Sequence, residues 1–114
     1  MTIQYKNAGY DLTTTNLTTV LTIDASSRAI VKGFTLANEH NNNVETHVYL
    51  NDFSASTSFE IFHSNIAADI TVYPLNNEPL NLEEGDYLTI QVDNANTVQG
   101  VISYALINRS QENG

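Results

Sequence analysis

The stretch VETHVYLND, residues 44–52, decides the fold. Val44, Thr46, Val48 and Leu50 alternate with Glu45, His47, Tyr49 and Asn51. A period of two sends successive side chains to opposite faces of an extended chain, so the first set lines a core and the other set faces solvent. A helix needs apolar residues three and four apart, and no stretch of the chain sustains that spacing between caps. Residues 44–52 therefore read as a half-buried strand.

Working outward, the same alternation recurs. In SFEIFH (58–63) Phe59, Ile61 and His63 alternate with Glu60 and Phe62, and in DITVYP (69–74) Ile70 and Val72 alternate with Thr71 and Tyr73 before Pro74 stops the run. DYLTIQVD (86–93) turns Leu88, Ile90 and Val92 inward and Tyr87, Thr89 and Gln91 outward. LTTVLTID (17–24) and RAIVKGFTLAN (28–38) add two strands, the second bulged near Gly33, where its apolar face switches. Turn-forming clusters separate the runs: DASS, NEHNNN, NDFSAST, PLNNEP, EEGD and NANTVQG. One sheet cannot bury so many half-apolar strands, so the fold class is all-β, an antiparallel two-sheet β-sandwich of jelly-roll-like form with about seven to nine strands. The expected core is Phe34, Leu36, Val48, Leu50, Ile61, Val72, Leu88, Ile90 and Val101. The 114 residues make a single domain, with residues 1–12 as an N-terminal arm and 109–114 as a flexible tail.

Composition excludes several function classes. Cysteine is absent, which removes disulfides, thiol nucleophiles and thiolate metal sites. The formal charge is -9, and the cations Lys6, Arg28, Lys32 and Arg109 form no run, so a phosphate backbone meets repulsion and no nucleic acid is expected as a partner. No apolar run reaches the length of a membrane span, and MTIQYKNAGY has no apolar signal region, so no membrane partner is expected either. Nucleophile-elbow, P-loop and dinucleotide motifs are missing.

Two clusters invite a chemical reading. In LEEGDYL (82–88) the carboxylates of Glu83, Glu84 and Asp86 fall within four residues, but Gly85 supplies the positive φ of a tight turn and Asp86 can cap it, so a structural turn at Gly85 and Asp86 with solvated carboxylates is expected. In EHNNNVE (39–45) Glu39, Asn41, Asn43 and Glu45 could present oxygens together, yet Asn-rich hairpin tips have the same composition. His40, His47 and His63 lack a short metal spacing, and the alternation puts His47 and His63 on differently patterned faces. Catalytic, cofactor and metal sites are all expected to be absent, and the chain is not expected to be an enzyme.

The last strand breaks the pattern. In GVISYALIN (100–108) Val101, Ala105 and Ile107 share one face, and Ile102, Tyr104 and Leu106 the other, so both faces are apolar. With Val101 assigned to the core, Ile102, Tyr104 and Leu106 join the outward Tyr49, Phe62, Tyr73 and Tyr87 as candidates for an assembly interface.

The segments YKNAGYDLTTTNLTTVLTID, RAIVKGFTLAN and EPLNLEEGDYLTIQV resemble small structural proteins of tailed bacteriophages, marine ones especially. The matching features are Tyr5 to Ala8, the Thr-rich run from Thr13 to Ile23, the apolar run from Ile30 to Asn38, and the turn from Pro79 to Asp86; the Asn-rich tip departs from the pattern. The resemblance implies a virion component that decorates or reinforces the capsid, neck or tail. It implies a homotrimer or other symmetric oligomer as the working form, and other virion proteins such as major capsid, neck or tail proteins as partners. The place of action would be the virion, assembled in the host bacterial cytoplasm. A different class stays open beside it: a receptor- or carbohydrate-binding module of a phage tail or fibre, presenting Asn, Asp and aromatic residues on loops.

Overall fold

A computed structural model describes residues 2–108 of the chain. Ten strands run in order, β1 (Thr2–Asp11), β2 (Thr18–Thr22), β3 (Ser27–Phe34), β4 (Leu36–Asn38), β5 (Val44–Asp52), β6 (Thr57–Ile66), β7 (Thr71–Val72), β8 (Leu80–Leu82), β9 (Tyr87–Val92) and β10 (Val98–Asn108). One sheet has the order β2-β9-β5-β6; in the other, β10 lies between β1 on one side and β3 and β4 on the other, with β8 and β7 beyond these. All pairs are antiparallel. Counting β3 with β4 and β7 with β8 as interrupted single strands gives four positions per sheet, and chain connections hop between the sheets in the jelly-roll-like manner.

The interruption of β3 from β4 is a single residue, Thr35, and it is built into the packing. Its backbone N–H donates to the Val101 carbonyl at 3.0 Å, and its hydroxyl accepts from the Val101 N–H at 3.0 Å. Gly100 makes room, since a Cβ there would sit 2.0 Å from the Thr35 carbonyl oxygen. The Tyr10 hydroxyl donates to that same carbonyl, and its ring meets Phe34 edge-on at 6.3 Å, which ties β1 to the break. Burial pushes the Tyr10 phenol well above its ordinary pKa.

The core lies between the sheets. Val31, Phe34, Leu36 and Ile102 of one sheet meet Leu21, Val44, Val48, Leu88, Ile90 and Val92 of the other, and all are buried. Fully burying each such side chain contributes about 1.5–3 kcal/mol. Of the expected core, Phe34, Leu36, Val48, Leu88 and Ile90 are buried, while Leu50, Ile61 and Val72 are partly buried against them. Val101 is the exception at 42% exposed, and Ile102 takes its place at 0%. The parity of β10 is therefore the reverse of the expected one, because a strand apolar on both faces does not reveal which face is inside.

Two further expectations change. Residues 2–11 are no arm: β1 pairs with β10 through ten consecutive positions, from Thr2 opposite Asn108 to Asp11 opposite Gln99. The expected tail, 109–114, lies outside the described residues. The bulge expected near Gly33 is present, since Ser103 faces Gly33 and Tyr104 faces Val31, leaving Lys32 as the extra residue.

Candidate functional site

The acidic turn is structural at its centre. Gly85 has a φ of 84°, and a Cβ there would come within 2.8 Å of the Phe53 ring. Asp86 is buried rather than solvated: its side chain accepts from the Phe53 N–H at 3.0 Å and the Glu83 N–H at 2.9 Å, fixing the turn that carries the chain from β8 into β9. Glu83 is exposed, and Glu84 pairs with Arg28 at 3.2 Å. The turn thus joins the two sheets and does not gather its carboxylates.

The Asn-rich tip also resolves into structure. Asn38 is buried, donates its amide to the Asn42, Ile66 and Ala67 carbonyls at 2.9–3.1 Å, and accepts from the His40 N–H at 2.8 Å. Glu39 accepts from Gln99 at 3.2 Å, whereas Glu45 points into a different cluster, so the tip does not gather its two carboxylates and reads as the structural loop expected of its composition.

The assembly candidates divide between the faces. Ile102 is in the core, and Phe62, Tyr104 and Leu106 pack against it from the inward side, so none of the four belongs to an outer face. Tyr73 is exposed, and Tyr49 and Tyr87 are half-buried. What replaces the misplaced residues is their odd-numbered neighbours. On the outside of the sheet containing β10, Ile3 stands opposite Ile107, Tyr5 opposite Ala105, and Ala105 opposite Ile30; Ala105 itself is buried at 4% exposure, so the apolar surface is that of Ile3, Tyr5, Ile30 and Ile107 around it. Ile3 is 52% and Tyr5 79% exposed. Val101 continues the same side beyond Asn7 and Ser103, which hydrogen-bond each other at 2.8 Å. The patch lies beside β1, whose far edge has no strand paired to it among the described residues.

The outside of the other sheet is polar and holds an arrangement the sequence did not disclose. His47 and His63 are direct cross-strand partners on β5 and β6, with rings stacked at 4.0 Å and 22° between planes. The expectation of different faces fails at one residue: Tyr49 faces Glu60 and Val48 faces Phe62, so Ile61 is a bulge and the alternation resets after it. Phe62 turns inward and His63 outward. Two carboxylates bracket the stacked rings. Glu45 approaches His63 Nε2 at 3.1 Å and His47 Nε2 at 3.9 Å; Glu60 approaches His47 Nδ1 at 3.3 Å and His63 Nδ1 at 3.4 Å. The hydrogen bond with His63 holds the Glu45 carboxyl below its ordinary pKa, and Tyr49, stacked on His47 at 6.2 Å, has its phenol raised by desolvation and by Glu60. No sequence spacing signals this cluster, because only register and a bulge create it.

No protein-family model matches the chain, and neither does any curated protein. Solved structures do share its fold. The chain is similar to the Drosophila NLP core, described for pentamer formation and histone binding, with a TM-score of 0.54 and 13% identity over 91% of this chain and 98% of that one. It is similar to a Bacillus endospore appendage protein from a family of disulfide-linked pili, with a TM-score of 0.52 and 14% identity over 95% and 88% of the two chains. A third likeness is to the acid-stable capsid of Helicobacter pylori bacteriophage KHP30, with a TM-score of 0.53 and 13% identity over 94% and 88%. At these identities the likeness is one of fold.

Proposed function

We propose that the chain is a virion structural protein that self-associates into a symmetric oligomer and attaches to a capsid, neck or tail, where it decorates or reinforces the particle. The observation that carries this reading is the outward apolar patch of Ile3, Tyr5, Ile30 and Ile107, in which Ile3 and Tyr5 are more than half exposed on an edge strand. Support comes also from the bacteriophage resemblance of three sequence segments, and from fold likeness to proteins described as a pentamer, a pilus and a capsid. The chain has no cysteine, so contact between copies rests on shape and apolar burial and not on the disulfides named for the pili. Net charge of -9 keeps free copies apart until the patch is matched.

The polar loop surface around Asn51, Asp52, Phe53 and Tyr87 is where a glycan or receptor would be sought. Its polar groups are already engaged: Asn51 donates to the Tyr87 carbonyl and Thr89 and accepts from Ser58, and Asp52 accepts from Ser54 and the Ala55 N–H. That self-satisfaction favours the structural role. Sedimentation of the purified chain, alone and with particles lacking it, tests the proposal. An oligomer that co-sediments with particles is expected; a monomer that binds glycans and no particle overturns it in favour of a receptor-binding module.

A further inference from the structure

We propose that the outer face of β5 and β6 is a binding site for a zinc-class divalent cation, with Glu45, His47 and His63 as ligands and Glu60 as the positioning residue. One donor atom from each of the three ligands lies within 4.8 Å of the others. Tetrahedral zinc with bonds of roughly 2.0–2.1 Å holds its ligand atoms about 3.3 Å apart, so modest side-chain rotation closes the site. The side chains that must move are free to do so, since Glu45 is 43% and His63 48% exposed.

The chemistry of the donor set argues for a cation between the groups. Two imidazoles face carboxylate oxygens through four nitrogens, Nδ1 of each toward Glu60 and Nε2 of each toward Glu45. A neutral imidazole has one N–H, so two neutral rings serve the two hydrogen bonds of the metal-free cluster, His47 Nδ1 to Glu60 at 3.3 Å and His63 Nε2 to Glu45 at 3.1 Å. In the other tautomer of His63 both Nδ1–H groups point to Glu60, and both Nε2 lone pairs point to the side of Glu45. A metal ion placed there would exchange the His63–Glu45 hydrogen bond for three coordinate bonds. Glu60 then acts as the partner that metal-bound imidazoles ordinarily have: a carboxylate taking the other ring N–H, fixing tautomer and orientation. Two His and one Glu form a known zinc donor set, and three protein ligands leave one position toward solvent. Because the ligands come from β5 and the edge strand β6, the ion would also clip that edge to the sheet.

The test is cobalt titration of the full-length, untagged protein, followed by visible absorption, with zinc added in competition. One equivalent of Co²⁺ is expected to give the d–d bands of a tetrahedral or five-coordinate site, and Zn²⁺ to abolish them. His63→Ala and His47→Ala should lose the bands, and Glu60→Gln should weaken binding about 10–100-fold while leaving the spectrum tetrahedral in character. His40→Ala should change nothing. Far-ultraviolet circular dichroism of each metal-free variant shows that the sandwich persists, and Glu60→Gln, nearly isosteric and on the surface, supplies the answer if a histidine variant does not fold. The proposal is overturned if the wild type gives no bands at millimolar Co²⁺, as when protons alone fill the site, or if the bands survive His63→Ala.

Discussion

The two sheets present the same kind of inner face and opposite kinds of outer face. Inside, both are apolar and closely buried. Outside, the sheet of β1, β10 and β3 shows Ile3, Tyr5, Ile30 and Ile107, whereas the sheet of β9, β5 and β6 shows Gln91, Glu45, His47, Glu60 and His63 beside the half-buried Tyr49 and Tyr87. A sandwich needs only its inner faces to fold, so outer faces are free to diverge, and their divergence is where function can be read. One side is suited to protein contact with little solvent left between, the other to water and ions.

Both outer faces hang on one shared core, and breaking that core should produce the largest effect. Ile90→Ala is expected to cost about 2–5 kcal/mol in denaturant unfolding. Cobalt binding and self-association should fail together as the variant unfolds; loss of one without the other would mean that the faces do not share a folding unit. Next in size is the turn that joins the sheets. Asp86→Ala leaves the Phe53 and Glu83 N–H groups without their acceptor, at about 2–3 kcal/mol, measured by the same unfolding experiment.

Sharper still is a charge placed on one outer face at a time. Tyr5→Asp should dissociate the oligomer or stop docking while monomer stability changes by less than about 1 kcal/mol, as expected for so exposed a position. Gln91→Glu on the opposite outer face should leave association unchanged; light scattering of the two variants decides whether the asymmetry is real. The smallest effect belongs to Glu83→Gln, which removes an exposed charge from the acidic turn and should shift stability by no more than about 0.5 kcal/mol. Glu84→Gln loses the exposed pair with Arg28 and should stay within about 1 kcal/mol.

Much of the fold is legible in the sequence because burial leaves a periodic mark. Val44, Val48, Leu88 and Ile90 alternate with polar neighbours, and all four are in the core. Gly85 is legible as a turn residue, since few other residues tolerate its φ of 84°. The assembly residues are not. In β10 both faces are apolar, so periodicity carries no sign and points Ile102 outward although it is wholly buried. The N-terminal strand escapes because Tyr5, Lys6 and Asn7 bury little; what orders them is backbone pairing to β10, which side-chain patterns do not record. The His47–His63 contact depends on cross-strand register, a property of two segments at once. Asp86 is legible as a cap but not as a buried one, since its two N–H partners, on Phe53 and Glu83, include one from a distant loop.

Ile61 works as a phase shifter within β6. Glu60 and His63 are three apart in sequence, an odd separation that in an unbroken strand would place them on opposite sides, yet the unpaired Ile61 brings both to the same carboxylate–imidazole cluster. The face that β6 turns to solvent is therefore set by which residues enter the ladder as much as by their identity. Loss of Ile61 would leave Glu60 and His63 two apart, on one side of a regular strand, so the bulge absorbs an extra residue without dispersing the cluster; drawing Ile61 into the ladder would instead turn His63 away from Glu60 with no change of sequence.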